Sequence, residues 1–410
     1  MPWLGLGLAE WTRPWWMVAD TIDAYWLVLA MRQGIPSFLV LALGIALLIR
    51  ATVVNRRRLT DPDARNMLRG WTMSLVALCL IGSTVHYWNV LQTYMFFLIG
   101  LGGVFADPFR QKVMAKRATI FGGSGFVGSY IARRLVAAGW NVRVAERNPR
   151  NDPDTTAVVA NITDDRSVAA AVEGADAVVN CVGTFDKGGA NSFEAIQHRG
   201  AERIAKLSSE AGVKRLVHIS SIGADPKGAS AYARSKGQGE TAVLQHMPEA
   251  VILRPSVIFG PEDEFFNRFA AMTKMSPFLP LVGAGARFQP VYVDDVAEAA
   301  AKAVLGEAAP GIYELGGPDV ASFEELMDQM MSTVGRRRTV LPIPLPIGNL
   351  MGWGFDILRG LSGGLIKGPI TQDQARSLAS DNIVSTGAKS FVDLGIEPTA
   401  IGDVIPSYLS

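Results

Sequence analysis

The chain is poor in cysteine, histidine and charge. Its 410 residues include two cysteines and four histidines, and Cys79 and Cys181 lie far apart in apolar runs. We therefore expect neither a disulfide framework nor a metal site, and a reducing compartment fits this cysteine usage. Charged residues make up 19% of the chain, and the net charge is +1. Because a nucleic-acid-binding domain usually carries a basic patch or stripe, this balance argues against nucleic acid as a partner.

Long uncharged runs dominate the first quarter of the chain instead. The run from Gly34 has no charged residue until Arg50, which gives enough apolar length to cross a bilayer. Two further apolar runs follow it, so we predict transmembrane helices at about 34–53, 71–86 and 90–106. Residues 1–110 would then form an all-α membrane segment of about three helices.

Basic residues flank these runs on one predicted side of the membrane. The stretch between the first two runs contains Arg50, Arg56, Arg57, Arg58, Arg65 and Arg69. The linker at 111–117, after the third run, is basic as well. The positive-inside rule places both stretches in the cytoplasm. We expect the N-terminus outside, the rest of the chain inside, and a bacterial inner membrane as the location.

A different pattern begins at Ala118, where short apolar runs alternate with helical stretches. Such alternation predicts an α/β fold with a Rossmann-type, doubly wound parallel sheet. We assign 118–335 to this domain and its substrate-lobe elements. We assign 336–410 to a small C-terminal α/β lobe, which opens with Arg336, Arg337 and Arg338 and contains a helix-like, glycine-interrupted stretch. That stretch fits a helix that closes the substrate lobe, or a surface that touches a membrane or a partner.

A glycine-rich turn follows the first predicted strand. Gly122, Gly123, Gly125 and Gly128 satisfy both GxxGxxG and GxGxxG spacing. Early glycines permit a tight turn and close approach of a pyrophosphate, and the last one permits close packing of helix on strand. Because the turn joins a strand to a helix N-terminus, which attracts phosphate, we predict a dinucleotide site.

The end of the second predicted strand leaves the choice of dinucleotide open. Glu146 is placed to accept hydrogen bonds from both ribose hydroxyls, which favours NAD. Its neighbour Arg147 is placed to pair with a 2′-phosphate, which favours NADP, and it also fits an ordinary solvated surface charge. The sequence keeps both alternatives.

Catalytic residue types follow a later strand. Tyr232 and Lys236 are one helical turn apart and so share a helix face. A nearby ammonium lowers the pKa of a phenol, which makes Tyr232 a usable acid or base. Ser221, or less favourably Ser220, ends the preceding strand and could hydrogen-bond a substrate carbonyl. The alternative is a surface helix with a half-buried tyrosine and no catalytic role.

These motifs, together with "NCVG", "LRPSVIFGP" and "VYVDDVAEA", resemble the extended and atypical short-chain dehydrogenase/reductases. More narrowly, "TIFGGSGFVG", "RPSVIFGPEDEFFNRFA" and "GIYELGGPDV" are similar to bacterial relatives of the NAD(P)-binding alpha-subcomplex accessory subunit of respiratory complex I. The resemblance covers the chain from residue 116 to the C-terminus. It implies a cofactor site made of Gly122, Ser124, Gly125, Phe126, Val127, Gly128, Arg147, Asn161, Asn180, Val182, Gly183, Tyr232, Lys236, Pro255 and Val257.

The resemblance also implies a function. Members of this subfamily bind NADPH, often without known turnover, and stabilise complex I near its quinone end. We therefore expect a membrane-tethered protein with a largely structural cofactor, NADP(H) rather than NAD(H), and complex I subunits as partners. The alternative is an active oxidoreductase or epimerase on a quinone-like or lipid substrate that uses Ser221, Tyr232 and Lys236. A further alternative is a fusion of two reading frames in which translation can start at Met114.

Overall fold

The computed structural model describes residues 30, 33, 35–58, 62–81, 96–101, 116–150, 152–184, 192–361 and 371–409. The chain divides into two compact units, Met1–Ala115 and Lys116–Ser410. The tryptophan-rich residues 11–29, His86, Met114 and most of the predicted third span and linker lie outside the described residues.

The first unit contains two long helices, α1 (Ile35–Arg58) and α2 (Pro62–Ile81), and residues 96–101 are also helical. Ile45, Trp71, Leu75 and Leu98 pack together between them. The Trp71 indole donates a hydrogen bond to the Leu98 carbonyl at 2.9 Å. These contacts give the unit a small core of its own.

Only α1 has the length and composition of a membrane-crossing helix among the residues that the structure describes. Its segment Ile35–Arg56 has a mean hydropathy of 2.4 and is 11% buried. The second predicted span, 71–86, differs from the structure, because α2 begins at Pro62 and takes in the charged residues Arg65 and Arg69. Proline suits the first position of a helix, and arginine is a good helix former, so the arginine-rich stretch is largely helical rather than a loop.

The second unit is built on a seven-stranded sheet whose strands are all parallel, in the order β11-β6-β5-β4-β1-β2-β3. The strands of this sheet are β1 (Arg117–Phe121), β2 (Asn141–Glu146), β3 (Thr156–Val159), β4 (Ala177–Asn180), β5 (Arg215–Ile219), β6 (Val251–Pro255) and β11 (Gly311–Leu315). The predicted doubly wound parallel sheet is confirmed.

Helices cover both faces of this sheet, as its continuous apolar strands require. They are α3 (Phe126–Ala137), α4 (Asp165–Val172), α5 (Arg199–Glu210), α6 (Ala231–His246) and α8 (Val293–Leu305), and a π-helical turn at Glu194–His198 leads into α5. One core lies between the sheet and α3 and α8, and includes Ile120, Leu135 and Val296. The opposite core lies against α4, α5 and α6 and includes Phe121 and Ile204.

The remaining elements form a smaller lobe with its own core. Its strands are β7 (Ile258–Phe259), β8 (Phe278–Val282), β9 (Arg287–Phe288), β10 (Val291–Tyr292), β12 (Ala321–Ser322) and β13 (Thr339–Ile343), and its helices are α7 (Phe266–Met275), α9 (Phe323–Thr333), α10 (Leu345–Leu361), α11 (Gln372–Ser377) and α12 (Ile401–Val404). β8 and β13 pair in parallel. A cluster of aromatic rings, including Phe265, Phe269 and Phe323, fills the lobe.

Candidate functional site

The turn between β1 and α3 is shaped by glycine. Gly122 has φ of +79°, a conformation that side chains disfavour. A Cβ on Gly128 would lie 2.2 Å from the Gly122 carbonyl oxygen, so no side chain fits where α3 meets the turn. Gly125 is the N-cap of α3, and no side chain caps the helix. The first N–H groups of α3 can therefore donate hydrogen bonds to a phosphate, and the cradle fits a dinucleotide pyrophosphate.

Gly123 has a packing role instead. A Cβ at this position would lie 3.0 Å from a methyl group of Val144 and 3.2 Å from the Ile120 carbonyl oxygen. The glycine therefore lets the turn lie close against β2. This explains why two overlapping glycine spacings fit the same sequence, since one glycine serves contact with the sheet.

A cleft of about 480 Å³ opens beside this turn at the carboxyl ends of β1, β2 and β4. Parallel α/β sheets bind ligands at this edge. Eight of the predicted cofactor residues line the cleft: Gly122, Ser124, Gly125, Glu146, Arg147, Asn161, Val182 and Gly183. Asn161 is exposed, and its side-chain oxygen accepts hydrogen bonds from the Thr163 N–H and hydroxyl.

Glu146 turns back onto the phosphate turn. Its carboxylate accepts hydrogen bonds from the Ser124 N–H and from the Ser124 hydroxyl, the latter at 2.5 Å. Arg147, the next residue, is exposed and lines the same cleft. The carboxylate of Glu146 is thus hydrogen-bonded within the protein, and Arg147 lies beside it at the cleft.

The loop after β4 depends on a buried pair of polar side chains. The Asn180 side-chain oxygen accepts a hydrogen bond from the Val182 N–H at 3.0 Å, and its amide nitrogen lies 3.1 Å from His218 Nδ1. Burial, and secondarily the charge of Lys236, lowers the pKa of His218 to about 3. The ring is therefore neutral and accepts through Nδ1. Sequence reasoning missed His218, whose only signal was a histidine inside an apolar strand.

Tyr232 and Lys236 lie on α6 at the other end of the site. Lys236 is buried, and its ammonium donates a hydrogen bond to the Ile219 carbonyl at 3.1 Å. Its Nζ lies 4.0 Å from where a Cβ on Gly183 would be, which joins it to the cleft. The Tyr232 ring is half-buried and meets Phe193 edge-on, with the ring centroids 5.9 Å apart.

Two serine hydroxyls lie just beyond β5. The side-chain oxygens of Ser220 and Ser221 are buried and have no hydrogen-bond partner among the described residues. Unpaired buried hydroxyls are costly, so they point to a role with a ligand. The backbone beside them is fixed, because the Ile222 N–H donates to the Pro255 carbonyl at 3.0 Å. Pro255 is buried and Val257 is half-buried where β6 ends.

The start of α6 is held by a residue from the distant C-terminal lobe. Asp373 on α11 is buried, and its two carboxylate oxygens accept hydrogen bonds from the Ala231 and Tyr232 N–H groups at 2.7 and 3.0 Å. Further along α6, Glu240 accepts from Arg254 of β6 at 2.6 Å. These contacts fix the helix that carries Tyr232 and Lys236. Sequence reasoning also missed Asp373, because nothing in its local sequence indicates a partner more than a hundred residues away.

Known proteins resemble this chain in sequence and in fold. The sequence model of the NAD dependent epimerase/dehydratase family matches residues 118–316. The chain is 33% identical over 305 residues to the "NADH dehydrogenase [ubiquinone] 1 alpha subcomplex subunit 9, mitochondrial" of Arabidopsis thaliana, covering 70% of this chain and 76% of that protein. It belongs to the alpha subcomplex subunit 9 family. The family resemblance seen in the sequence is thereby confirmed.

Other matches fall inside and outside the subunit 9 family. The mouse (Mus musculus) subunit 9 is 32% identical over 305 residues, covering 71% of this chain and 79% of its own length. A "Ceramide reductase" of Caulobacter vibrioides is 29% identical over 236 residues, covering 55% of this chain and 73% of its own length. The solved structure of Bordetella bronchiseptica WbmH in complex with NAD+ is 18% identical, has a TM-score of 0.53, and covers 72% of this chain and 97% of its own. This last likeness supports the fold.

Proposed function

We propose that this protein is a membrane-tethered, NAD(P)H-binding subunit that supports the assembly or stability of an NADH:quinone oxidoreductase. The observation that carries the proposal is the 33% identity to a named NADH dehydrogenase subunit over 305 residues. That length exceeds the 118–316 range that matches the general family, so the likeness is not limited to the nucleotide-binding core. Complex I subunits are therefore the proposed partners.

The tether that we propose is the membrane segment at residues 1–110, with α1 as its membrane-crossing helix. In support, α1 is apolar and little buried, and its apolar side chains Leu39, Val40 and Leu43 are exposed. The basic linker 111–117 leads to the Rossmann domain at 118–335 and the C-terminal lobe at 336–410. We place the module on the cytoplasmic side of a bacterial inner membrane and the N-terminus outside, as the arginine-rich stretch after α1 favours.

The cofactor that we propose is NADP(H), held by the predicted residues around the cleft, with NAD(H) as the alternative. The glycine cradle and the open N-terminus of α3 would hold the pyrophosphate. Arg147 at the cleft would pair with a 2′-phosphate. Glu146 opposes this phosphate less than a free carboxylate would, because its oxygens accept hydrogen bonds from Ser124.

Gentle solubilisation of the membranes tests this function. We expect the protein to co-migrate with the NADH:quinone oxidoreductase on native gels and to release a stoichiometric dinucleotide on denaturation. Mass spectrometry would identify that nucleotide and its redox state. Migration apart from the oxidoreductase, in membranes where the enzyme is intact, would overturn the subunit proposal.

A second function is favoured by the unpaired hydroxyls of Ser220 and Ser221 beside Lys236. It is reduction of a carbonyl on an apolar substrate, a chemistry for which the relative named ceramide reductase provides a precedent. When bound, the reduced nicotinamide supplies a hydride to the carbonyl carbon. Ser221 would hold the carbonyl oxygen, and Tyr232 would give it a proton, so that the product is an alcohol. Lys236 would stabilise the tyrosinate that remains.

Replacement of Tyr232 by Phe separates the two functions. If the cofactor is structural, Y232F should retain the nucleotide and leave the oxidoreductase intact. A loss as severe as that of a deletion strain, with the nucleotide still bound, would favour catalysis. Y313F is a matched control, because the Tyr313 hydroxyl donates to the Ala309 carbonyl outside the cleft.

A further inference from the structure

Helix α10 packs on the protein through glycine. A Cβ on Gly348 would lie 2.2 Å from a methyl group of Val282 on β8, and a Cβ on Gly352 would lie 2.5 Å from the Gln372 nitrogen of α11. Gly348 and Gly352 are one turn apart and are both buried. The inward face of α10 is therefore its small-residue face.

The outward face of the same helix is apolar. Ile347, Leu350, Trp353 and Ile357 are 53%, 66%, 52% and 41% exposed. They recur every three or four residues and so form one stripe along the helix. A helix at the surface of a soluble protein normally turns its apolar stripe inward. We call these four residues the outer stripe. Their orientation is the reverse of the normal one, since they face outward.

The part of the chain that carries the outer stripe is rich in arginine, although Arg336 and Arg338 donate to the Ala270 and Thr273 carbonyls of α7 at 3.3 and 2.9 Å. Residues 335–361 contain Arg336, Arg337, Arg338 and Arg359 but a single acid, Asp356. Asp356 accepts a hydrogen bond from the Gln372 N–H at 3.2 Å, on the inward side of the helix. Arg337 and the nearby Lys274 are exposed. An apolar stripe with a tryptophan, in a part of the chain that is rich in arginine, suits an anionic lipid surface.

We propose that the outer stripe of α10 rests in the interface of an anionic lipid bilayer. This inference rests on the proposed function in one respect, because the membrane segment would keep the module beside a bilayer. We choose a bilayer over a protein partner because the stripe carries a tryptophan, the sequence around it is rich in arginine, and the proposed tether would keep the module beside a lipid surface. The contact would give the module a second attachment, independent of α1.

The fluorescence of a single label on the full chain tests this contact. The chain with C79S and L350C would carry an environment-sensitive NBD label and be reconstituted into nanodiscs of phosphatidylcholine and phosphatidylglycerol. Cys181 lines the nucleotide cleft and is half-buried, so the C79S chain without L350C is labelled in parallel and its signal is subtracted. We expect blue-shifted emission at position 350 that doxyl-labelled lipids quench by at least half. Labelling V392C instead gives the control, because Val392 is 84% exposed and lies in the 3₁₀ turn Val392–Leu394.

The possible outcomes distinguish a lipid bilayer from a protein partner or a second copy of the chain. Emission at position 350 that matches position 392 would overturn the proposal. A shielded label that doxyl lipids fail to quench would also overturn it, in favour of a protein partner or a second copy of the chain. We expect weaker quenching when phosphatidylcholine replaces phosphatidylglycerol, and equal quenching would contradict the role of the cations. Alkaline carbonate extraction of native membranes reports the tether separately, so failure of the tether and failure of the α10 contact are distinguishable.

Discussion

Among single residues, Glu146 and Arg147 bear most directly on which dinucleotide binds. The sequence could place both side chains at the end of β2 but could not rank them. The structure adds that the Glu146 carboxylate is engaged by the Ser124 N–H and hydroxyl. This contact joins residues that are 22 positions apart, and its formation depends on the fold of the turn rather than on any local pattern.

Replacement of Arg147 by Ala tests the preference for NADP(H). A charge-assisted hydrogen bond to phosphate contributes about 1.5 to 3 kcal/mol, so we expect NADPH to bind about 10- to 100-fold more weakly. NADH affinity should change by less than about threefold, since NADH has no 2′-phosphate. Isothermal titration calorimetry on the solubilised protein measures both. R150A is the control, because Arg150 is an exposed arginine of the same loop, and equal losses for NADPH and NADH in R147A would contradict the proposed contact.

His218 should make stability depend on pH. Its pKa falls from about 6.5 to about 3 on folding. Between these pH values the histidine is therefore protonated in the unfolded chain and neutral in the folded chain. Above about pH 6.5 the histidine is neutral in both states and costs no stability. As the pH falls from there toward 3, the free energy of unfolding decreases by up to about 1.4 kcal/mol per pH unit.

Urea unfolding in detergent at several pH values measures this dependence. H218N should flatten it between about pH 6.5 and 4, because Asn is neutral throughout and can still accept from Asn180. H246N provides a control at a partly exposed histidine. An unchanged pH profile in H218N would show that other groups dominate the acid sensitivity.

At the scale of helices and strands, the alternation of apolar runs predicted the parallel sheet, because a buried strand needs apolar residues on both faces. It could not predict which face of α10 is buried. Helical spacing places Ile347, Leu350, Met351, Phe355, Leu358 and Leu361 on one stripe, but Gly348 and Gly352 determine the packed side by allowing close approach. The apolar run from Trp71 could not predict the start of α2 either, because the helix begins at Pro62 and includes the charged residues Arg65 and Arg69.

The glycines of α10 should respond to alanine in opposite directions. G348A places a methyl group against Val282 and should lower the free energy of unfolding by about 1 to 3 kcal/mol. G354A has no atom within 4 Å of its new Cβ, so it should raise stability by up to about 1 kcal/mol through helix propensity. Thermal unfolding of the two variants in the same detergent measures the contrast. Similar shifts of the same sign would contradict the packing described for α10.

We expect Asp373 to affect both the stability of the protein at α6 and the affinity for the cofactor. D373A leaves the Ala231 and Tyr232 N–H groups without their acceptor, at a cost of about 1 kcal/mol in unfolding free energy. Because these groups begin the helix that carries Lys236, we also expect weaker nucleotide binding. Thermal unfolding and calorimetry measure the two effects. D403A is the control on the exposed start of α12, and D373N should recover part of the loss since its amide oxygen still accepts.

At the scale of the whole molecule, the division between the two units falls at residues 115 and 116. Every predicted site residue lies in Lys116–Ser410, and so do the cores on both faces of the sheet. A fragment that starts at Met114 should therefore bind NAD(P)H with a Kd within about threefold of that of the full chain in detergent. Titration by nicotinamide fluorescence measures this. Loss of binding in a folded fragment would show that the first unit contributes to the site.

The path from α10 to Tyr232 has a consequence for the energetics of the whole protein. Gly352 of α10 packs on Gln372, and the adjoining Asp373 holds the first turn of α6. If lipid contact changes the position of α11, it changes the affinity for the dinucleotide by some factor. Thermodynamic reciprocity then requires the dinucleotide to change the affinity for lipid by the same factor. In that case the fraction of modules attached to the bilayer would change with the concentration of the dinucleotide.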